Sequence, residues 1–274
     1  MIPWGITCFF EKRKDFEETV EISLRYPLQF IEIRGERPFF AVDDLKPDDI
    51  RYFRKIISNT GLRVTFHATF YDINLSSLNP YLRNAILECY KKSIEIASEI
   101  QAEIMVVHAG LVHKDAAGIR NLVDLARRNL IENLKILGEE AEEKNIIIGL
   151  ENSPPNVHRL MVPGWQEHRH ILKEVNHPKV KGVVDMGHAF LHGHDIQTYF
   201  HRMEDLLAEI HVHNNNGLED QHRAMDIGVI PYEDFFLNNN VTVPAIMEIH
   251  NLTEAVQSLE WIKTLNAKKS VSGN

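Results

Sequence analysis

Short apolar runs and longer amphipathic segments alternate eight times along this sequence, and this alternation restricts the fold more strongly than any other feature. The apolar runs, which we predict as strands, are residues 4–9, 29–33, 62–66, 103–107, 146–150, 180–184, 206–212 and 243–247. The segments that follow them, which we predict as helices, are residues 15–25, 46–59, 80–100, 120–143, 165–175, 195–202, 231–237 and 253–265. Such alternation indicates parallel strands joined by crossover helices, and eight units close a barrel. We therefore predict one α/β domain over residues 1–274, a (β/α)8 TIM barrel, with a frayed tail at residues 268–274.

Composition and the start of the chain narrow the classes of function. Hydrophobic residues make up 44% and charged residues 25%, as in ordinary globular proteins. No run approaches the ~20 apolar residues of a membrane span, the first residues do not form a signal peptide, and Cys8 and Cys89 give no disulfide framework. These features predict a cytoplasmic protein without a membrane partner. The sequence contains no glycine-rich phosphate-binding loop, so a nucleotide cofactor is not expected. The net charge of −9 disfavours nucleic acid, although local basic loops would still allow phosphate contacts.

Six successive predicted strands end on residues that commonly bind metals. They are His67, His108, Glu151, Asp185, His213 and Glu248. In such barrels the chemistry lies at the carboxyl ends of the strands, so we expect these side chains to meet at one mouth. Three carboxylates would repel each other there, unless metal cations offset the repulsion.

The stretch from His211 to His222 adds further candidates. Asp220 and His222 lie on the loop after the seventh strand, and His188 follows Asp185 by three residues. Nine candidate ligands exceed what one tetrahedral ion can use, and they suit two or three metals. Imidazole and carboxylate together favour zinc, with manganese as the other candidate. Local hydrogen bonding of loop histidines is the alternative interpretation. We expect His211, one layer below His213, to be an interior or supporting group.

Several segments carry a resemblance to a known family. They are Phe66-His67-Ala68 with Ile73-Asn74-Leu75, Val107-His108-Ala109-Gly110, Gly149-Leu150-Glu151-Asn152, Val184-Asp185-Met186-Gly187-His188-Ala189-Phe190, the stretch from His213 to His222 with Gly228, and Met247-Glu248. Together they resemble endonuclease IV, a zinc-dependent enzyme of the xylose-isomerase-like barrel superfamily. The resemblance implies three zinc sites. One would use His67, His108 and Glu151, the second would share Glu151 and add Asp185, His213 and Glu248, and the third would use His188, Asp220 and His222.

The loops at the barrel mouth depart from that family. The loop after the first strand lacks the paired glycines with which endonuclease IV grips DNA, and Glu32 and Glu36 are more typical of the sugar isomerases. Arg34 and Arg37 are candidates for contacts with phosphate. Phe70 stands where the family has an aromatic that enters the duplex, and packing of this ring back onto the barrel is the alternative.

Two enzymatic functions follow from these observations. The resemblance implies a phosphodiesterase that cuts abasic DNA, with Glu151 bridging two metals and with Asp185 and Glu248 as neighbouring ligands. The alternative is a sugar or sugar-phosphate isomerase or epimerase that uses one metal. In that enzyme, Glu151, Asp185, His213 and Glu248 would hold the ion, and Glu151 and Glu248 would move protons. A barrel that binds a ligand without turnover is a third, weaker hypothesis.

Overall fold

The structure is a computed structural model that describes residues 2–9, 12–37 and 45–272, with only the backbone of residues 270–272. Its strands, in chain order, are β1 (Trp4–Cys8), β2 (Phe30–Arg34), β3 (Arg63–His67), β4 (Ala102–His108), β5 (Leu111–Val112), β6 (Ile147–Glu151), β7 (Arg159–Leu160), β8 (Val180–Asp185), β9 (Leu207–Val212) and β10 (Ala245–Met247). All except β5 and β7 pair in parallel as a closed eight-stranded barrel, in which β10 pairs with β1. The predicted TIM barrel is confirmed.

Helices cover the outside of this barrel. They are α1 (Arg13–Arg25), α2 (Pro47–Thr60), α3 (Pro80–Glu99), α4 (Arg120–Glu143), α5 (Trp165–Val175), α6 (Met186–Leu191), α7 (Ile196–Met203), α8 (Tyr232–Asn238) and α9 (Leu252–Ser272). Local chemistry sets several of their ends. The Asn79 side chain accepts a hydrogen bond from the Tyr81 amide at the start of α3, and Gly61 ends α2 with a φ of 73°.

The inside of the barrel is apolar on one side and polar on the other. Ile104, Val106 and Val183 form a small apolar cluster there, as is usual for TIM barrels. Polar residues come from the neighbouring strands β1, β2 and β3, where Glu32 lies in register with Thr7 and Thr65, and all three are buried. The functional residues therefore rest on a partly polar interior.

Three features differ from the sequence-based expectation. Helix α6 begins directly after β8, and β5 pairs with β7 in a small antiparallel sheet; both are too short for hydrophobic periodicity to reveal. Helix α9 extends to Ser272, beyond the predicted end at residue 265. The Lys268 ammonium binds Glu233, and Lys269 donates to the carbonyls of Phe236 and Asn239. The predicted tail at residues 268–274 therefore begins too early, and residues 273–274 lie outside the described part.

Among the described residues, no helix combines the length and the apolarity that crossing a membrane requires.

Candidate metal centre

The carboxyl ends of the barrel strands surround a cavity of about 780 Å³. Its walls are formed by Phe9, Asp15, Arg34, Glu36, His67, Phe70, Tyr71, Ile73, His108, Gly110, Leu111, Glu151, Ser153, Pro154, Asn156, Leu160, His188, Asp220, His222, Glu248 and His250. Seven of the nine predicted ligands are on this wall, and the other two, Asp185 and His213, are fully buried below it. The barrel thus brings together side chains that are 181 positions apart in the sequence, from His67 to Glu248.

The ends of β3, β4 and β6 form one group of possible ligands. The Oε2 atom of Glu151 lies 2.8 Å from His108 Nε2 and 3.4 Å from His67 Nε2. The two Nε2 atoms are 3.3 Å apart. Despite these distances, Glu151 Oε2 accepts no hydrogen bond from any described residue. This is the arrangement of atoms that point at a common ion, rather than at one another.

A second group forms around Asp220. Its carboxylate lies 3.2 Å from His188 Nε2, 3.4 Å from His222 Nε2 and 3.6 Å from His213 Nε2. The second carboxylate of this region, Asp185, lies 3.1 Å from His213 Nε2 and caps helix α6 by accepting from the His188 amide. Each of four residues offers one potential ligand atom, and these atoms all lie within 4.8 Å of one another. The residues are His188, His213, Asp220 and His222.

Backbone carbonyls orient three of these histidines. His67 Nδ1 lies 3.0 Å from the Ala68 carbonyl, His188 Nδ1 2.9 Å from that of Asn152, and His222 Nδ1 2.6 Å from that of Glu248. Since a carbonyl only accepts, each Nδ1 carries a proton, and Nε2 is left as the ring atom that would bind a cation at the centre. Metal-binding histidines in proteins are commonly fixed in this way. The residues present therefore fit a metal.

Burial and charge act in opposition on the carboxylates of the centre. Burial would raise the pKa of Glu151, but His211 and His108 hold this pKa well below its usual value. For Glu248 burial is again opposed, here by the Arg34 guanidinium and by His211, and its pKa is lowered. The pKa of Asp220 is lowered by His188 and His222. Carboxylates that stay ionised in a buried centre are suited to bind a cation.

His211 occupies the interior position that the sequence predicted. It is fully buried, and its Nδ1 lies 2.8 Å from Glu151 Oε1. On the other side of the ring, Nε2 lies 2.9 Å from Glu209 and 3.2 Å from Glu32. Burial, with a contribution from the neighbouring Glu32 carboxylate, raises the pKa of Glu209 to about 8. By distance alone His211, rather than the predicted His213, falls in one group with Glu151, Asp185 and Glu248.

The three predicted substrate-binding residues have different positions. Arg34 is buried, donates to both Glu36 and Glu248, and lies between the rings of Phe9 and Phe70 at 4.9 and 5.7 Å. Phe70 lines the cavity and stacks on His108 with ring centroids 4.6 Å apart. Arg37 is absent from the cavity wall as far as the structure describes it.

Sequence reasoning placed neither Glu36 nor His250 among the site residues, although both line the cavity. Glu36 is buried and binds Arg34, and His250 stacks on His222 with ring centroids 4.2 Å apart. Each follows a recognised residue by two positions, and this spacing was the available signal. Burial, with the nearby charge of His222, lowers the pKa of His250 to about 4.

Comparisons with known proteins agree with this architecture. Residues 20–265 match the family described as "Xylose isomerase-like TIM barrel". The uncharacterized protein MJ1311 of Methanocaldococcus jannaschii is 27% identical over 225 residues, which cover 80% of this chain and 75% of that protein. Fructoselysine 3-epimerase of Shigella flexneri is 25% identical over 207 residues, which cover 74% of this chain and 73% of that enzyme. The crystal structure of a D-tagatose 3-epimerase-like protein superimposes with a TM-score of 0.88 at 24% identity and covers 100% of both chains.

These similarities correct the predicted function. The names of the Shigella flexneri enzyme and of the D-tagatose 3-epimerase-like protein refer to sugar epimerases, and the prediction of an endonuclease that cuts abasic DNA is wrong. The reason lies in what the resemblance measured. The resemblance rested on the metal-ligand motifs, whereas the loops after the first and second strands already departed from the endonuclease pattern.

Proposed function

Because this chain belongs to the xylose isomerase-like TIM barrel family, we propose that it is a metal-dependent epimerase of a small sugar. One observation supports this most directly. Glu151 at the end of β6 and Glu248 just after β10 line the same cavity from well-separated positions on the barrel ring. Two carboxylates so placed are able to act on opposite faces of one substrate carbon.

Glu151, Asp185 and Glu248 would hold the catalytic metal together with His213, whose Nε2 lies 3.1 Å from Asp185, whereas both ring nitrogens of His211 already bind Glu151 and Glu209. Their imidazole and carboxylate donors suit zinc or manganese. When bound, such an ion acts as a Lewis acid that polarises a carbonyl and makes the neighbouring carbon more acidic. His67, His108, His188, Asp220 and His222 are further ligands, and we propose that they hold at least one more ion.

The two carboxylates carry the proton transfers. One takes the proton from the carbon beside the sugar carbonyl, and the other donates a proton to the opposite face of the same carbon. The configuration of that carbon inverts, and the sugar neither gains nor loses an atom. Because the reaction is reversible, Glu151 and Glu248 each act as acid in one direction and as base in the other.

Neighbouring side chains prepare the cavity for this reaction. Arg34 donates to Glu248 and fixes the direction of its carboxylate. Phe70, packed on His108, offers an apolar ring to the carbon-bound hydrogens of a sugar. Arg37 is retained only as a candidate from the sequence.

Exchange of a sugar proton with solvent tests the proposal. The purified protein, loaded with manganese or zinc, is incubated in D2O with a panel of ketoses, and deuterium incorporation is followed by NMR. We expect deuterium at one carbon together with the epimer, and removal of the metal with a chelator should stop both. Glu151→Gln and Glu248→Gln should each lower the rate at least 100-fold, by loss of an acid–base group.

A carboxylate at the opposite end of the barrel provides the control. Glu103 is half-exposed near the start of β4, where it binds Arg63, and Glu103→Gln should leave the exchange rate unchanged. Metal-loaded protein that exchanges no proton of any ketose in the panel would refute the proposed epimerase.

A further inference from the structure

The imidazole of His211 connects the candidate catalytic carboxylate to the barrel interior. Its ring lies on β9, and none of its surface is exposed. Both ring nitrogens are engaged, Nδ1 with Glu151 Oε1 at 2.8 Å and Nε2 with Glu209 Oε1 at 2.9 Å. Glu209 thus fixes the ring at Nε2, and the ring in turn fixes Glu151 through its Nδ1.

This contact gives the two Glu151 oxygens different partners. Oε1 accepts the hydrogen bond from His211, whereas Oε2 lies among the Nε2 atoms of His108 and His67. A carboxylate with one oxygen fixed cannot rotate freely about its last bond. Its second oxygen therefore stays on the cavity side, where the proposed metal and substrate would bind.

The support beneath His211 is unusual for a barrel interior. Glu209 precedes His211 by two residues on β9, and Glu32 on β2 lies 3.2 Å from His211 Nε2. Glu32 in turn accepts a hydrogen bond from Thr7 at 2.8 Å. Branched apolar side chains usually fill this space, and burying two carboxylates there is costly. Because burying these polar side chains is costly, we infer that they have a role other than packing.

We propose that His211 is a positioning residue for Glu151 and that Glu209 positions His211. This inference rests on the proposed function, since it assigns the chain Glu209–His211–Glu151 to the same centre. Neither His211 nor Glu209 touches the substrate. Their effect is to keep Glu151 Oε2 directed at the metal.

Metal affinity without any sugar tests this inference separately from the enzyme activity. Cobalt binding is measured by competition with a chromogenic chelator for wild type, His211→Gln, Glu209→Gln and Glu209→Leu. We expect His211→Gln to weaken binding about 10- to 100-fold, the usual effect of losing a group that orients a ligand. Glu209→Leu should show a smaller loss, and Glu209→Gln, which keeps an oxygen acceptor, should recover much of it.

A double variant and a matched control isolate the mechanism. Because Glu209 acts through His211, the variant His211→Gln with Glu209→Leu should bind cobalt no more weakly than His211→Gln. Asn133 is equally buried but bridges helices α3 and α4 through Arg83 and the Leu75 region, away from the centre. Asn133→Ala should lower thermal stability and leave cobalt affinity unchanged.

Three results would overturn the inference. The first is unchanged cobalt affinity in His211→Gln, and the second is an equal loss in Glu209→Gln and Glu209→Leu. The third is a bound-metal count that falls by one in Glu209→Leu, which would assign Glu32, Glu209 and His211 to a cation of their own. A wild-type protein that binds cobalt but exchanges no ketose proton would refute the proposed epimerase and leave the positioning chain intact.

Discussion

Close packing fixes individual side chains of the centre, and Gly187 is the clearest case. This glycine lies in helix α6, between Asp185 and His188. A Cβ atom added there would fall 2.2–2.7 Å from three atoms of the His213 ring. Such distances are far below van der Waals contact, so any other residue at this position must displace the imidazole.

Gly187→Ala should therefore weaken metal binding. The displaced His213 ring could no longer share an ion with Asp185, and we expect at least a tenfold loss of affinity, as for other disturbed ligands. Cobalt titration checks this. Gly118→Ala is the control, because a Cβ there has no atom within 4 Å, and it should bind cobalt like wild type. Equal affinity of the two variants would contradict the packing argument.

His168 shows that a buried histidine need not be a ligand. It lies in α5 and is fully buried. Its Nε2 donates to the Leu150 carbonyl at 2.8 Å, and its Nδ1 lies 3.2 Å from the Tyr199 hydroxyl. Burial lowers its pKa from 6.5 to about 4, so the ring is neutral near pH 7.

Because of this lowered pKa, the free energy of unfolding depends on pH. Between pH 6.5 and 4 the unfolded chain binds the proton more readily than the folded one, so stability is intact above this range and falls as the pH drops through it. At about 1.4 kcal/mol per pKa unit, His168 should account for a loss of about 3 kcal/mol. The loss of stability between pH 7 and pH 4, measured by urea unfolding, should be about 3 kcal/mol smaller in His168→Gln than in wild type, because all other titrating groups are common to both proteins. The exposed His201 serves as the control, and His201→Gln should follow the wild type.

At the level of secondary-structure elements, the loop between β9 and α8 is held in a defined conformation by its own hydrogen bonds and by contacts with α9. The backbones of Asn214 and Arg223 pair at 2.9 and 2.8 Å, and Glu254 of α9 binds the Arg223 guanidinium. His222 has a left-handed φ of 48°, which is uncommon outside glycine and typical of functional positions. Its ring stacks between His213 and His250, with centroids 3.8 and 4.2 Å away. The loop is thus shaped to hold this imidazole at the centre.

Removing the His222 imidazole should remove one metal and leave the other. We expect His222→Ala to lower the measured metal content by about one equivalent, because Glu151 and Asp185 end barrel strands and Glu248 directly follows one, so the barrel holds their carboxylates in place. Elemental analysis of the purified proteins gives this count. Leu218, 86% exposed in the same loop, provides the control Leu218→Ala. One equivalent in both wild type and His222→Ala would make Asp220 and His222 ordinary loop residues.

At the scale of the whole molecule, charge bears on the choice of sugar. The protein carries a net charge of −9. Arg34 is the one lysine or arginine on the described cavity wall, and it already binds Glu36 and Glu248. On the part of the cavity wall that the structure describes, a phosphate group therefore meets no guanidinium or ammonium other than the one already bound by Glu36 and Glu248, in a protein whose net charge repels it.

We expect a ketose to exchange its proton with a higher kcat/KM than the same ketose carrying a terminal phosphate. The difference should shrink as sodium chloride is raised from 20 to 500 mM, because salt screens the long-range part of the repulsion. Deuterium exchange at a series of salt concentrations measures it. A phosphorylated sugar that is the better substrate at low salt would contradict this expectation.

The barrel and the metal-binding residue types at its mouth could be predicted from the amino-acid sequence alone. The fold could be predicted because hydrophobic periodicity is a local property that repeats eight times, as in residues 146–150 and 180–184. Six of the nine ligand candidates could be predicted because each, such as His67 or Glu151, stands at the end of its own strand. No long-range information was needed for either prediction.

Which of these residues face one another, and which side chains support them, follows from the folded chain and could not be predicted from the sequence. The contacts of His211 with Glu151 and Glu32 join β9 to two other strands, and a linear pattern carries no record of such distances. The same holds for Arg34, predicted to meet phosphate but found bound to Glu248, and for the Cβ clash between Gly187 and His213. The physical reason is that closing the barrel juxtaposes strand ends from distant parts of the chain, and pairwise contacts across its interior are settled only by that closure.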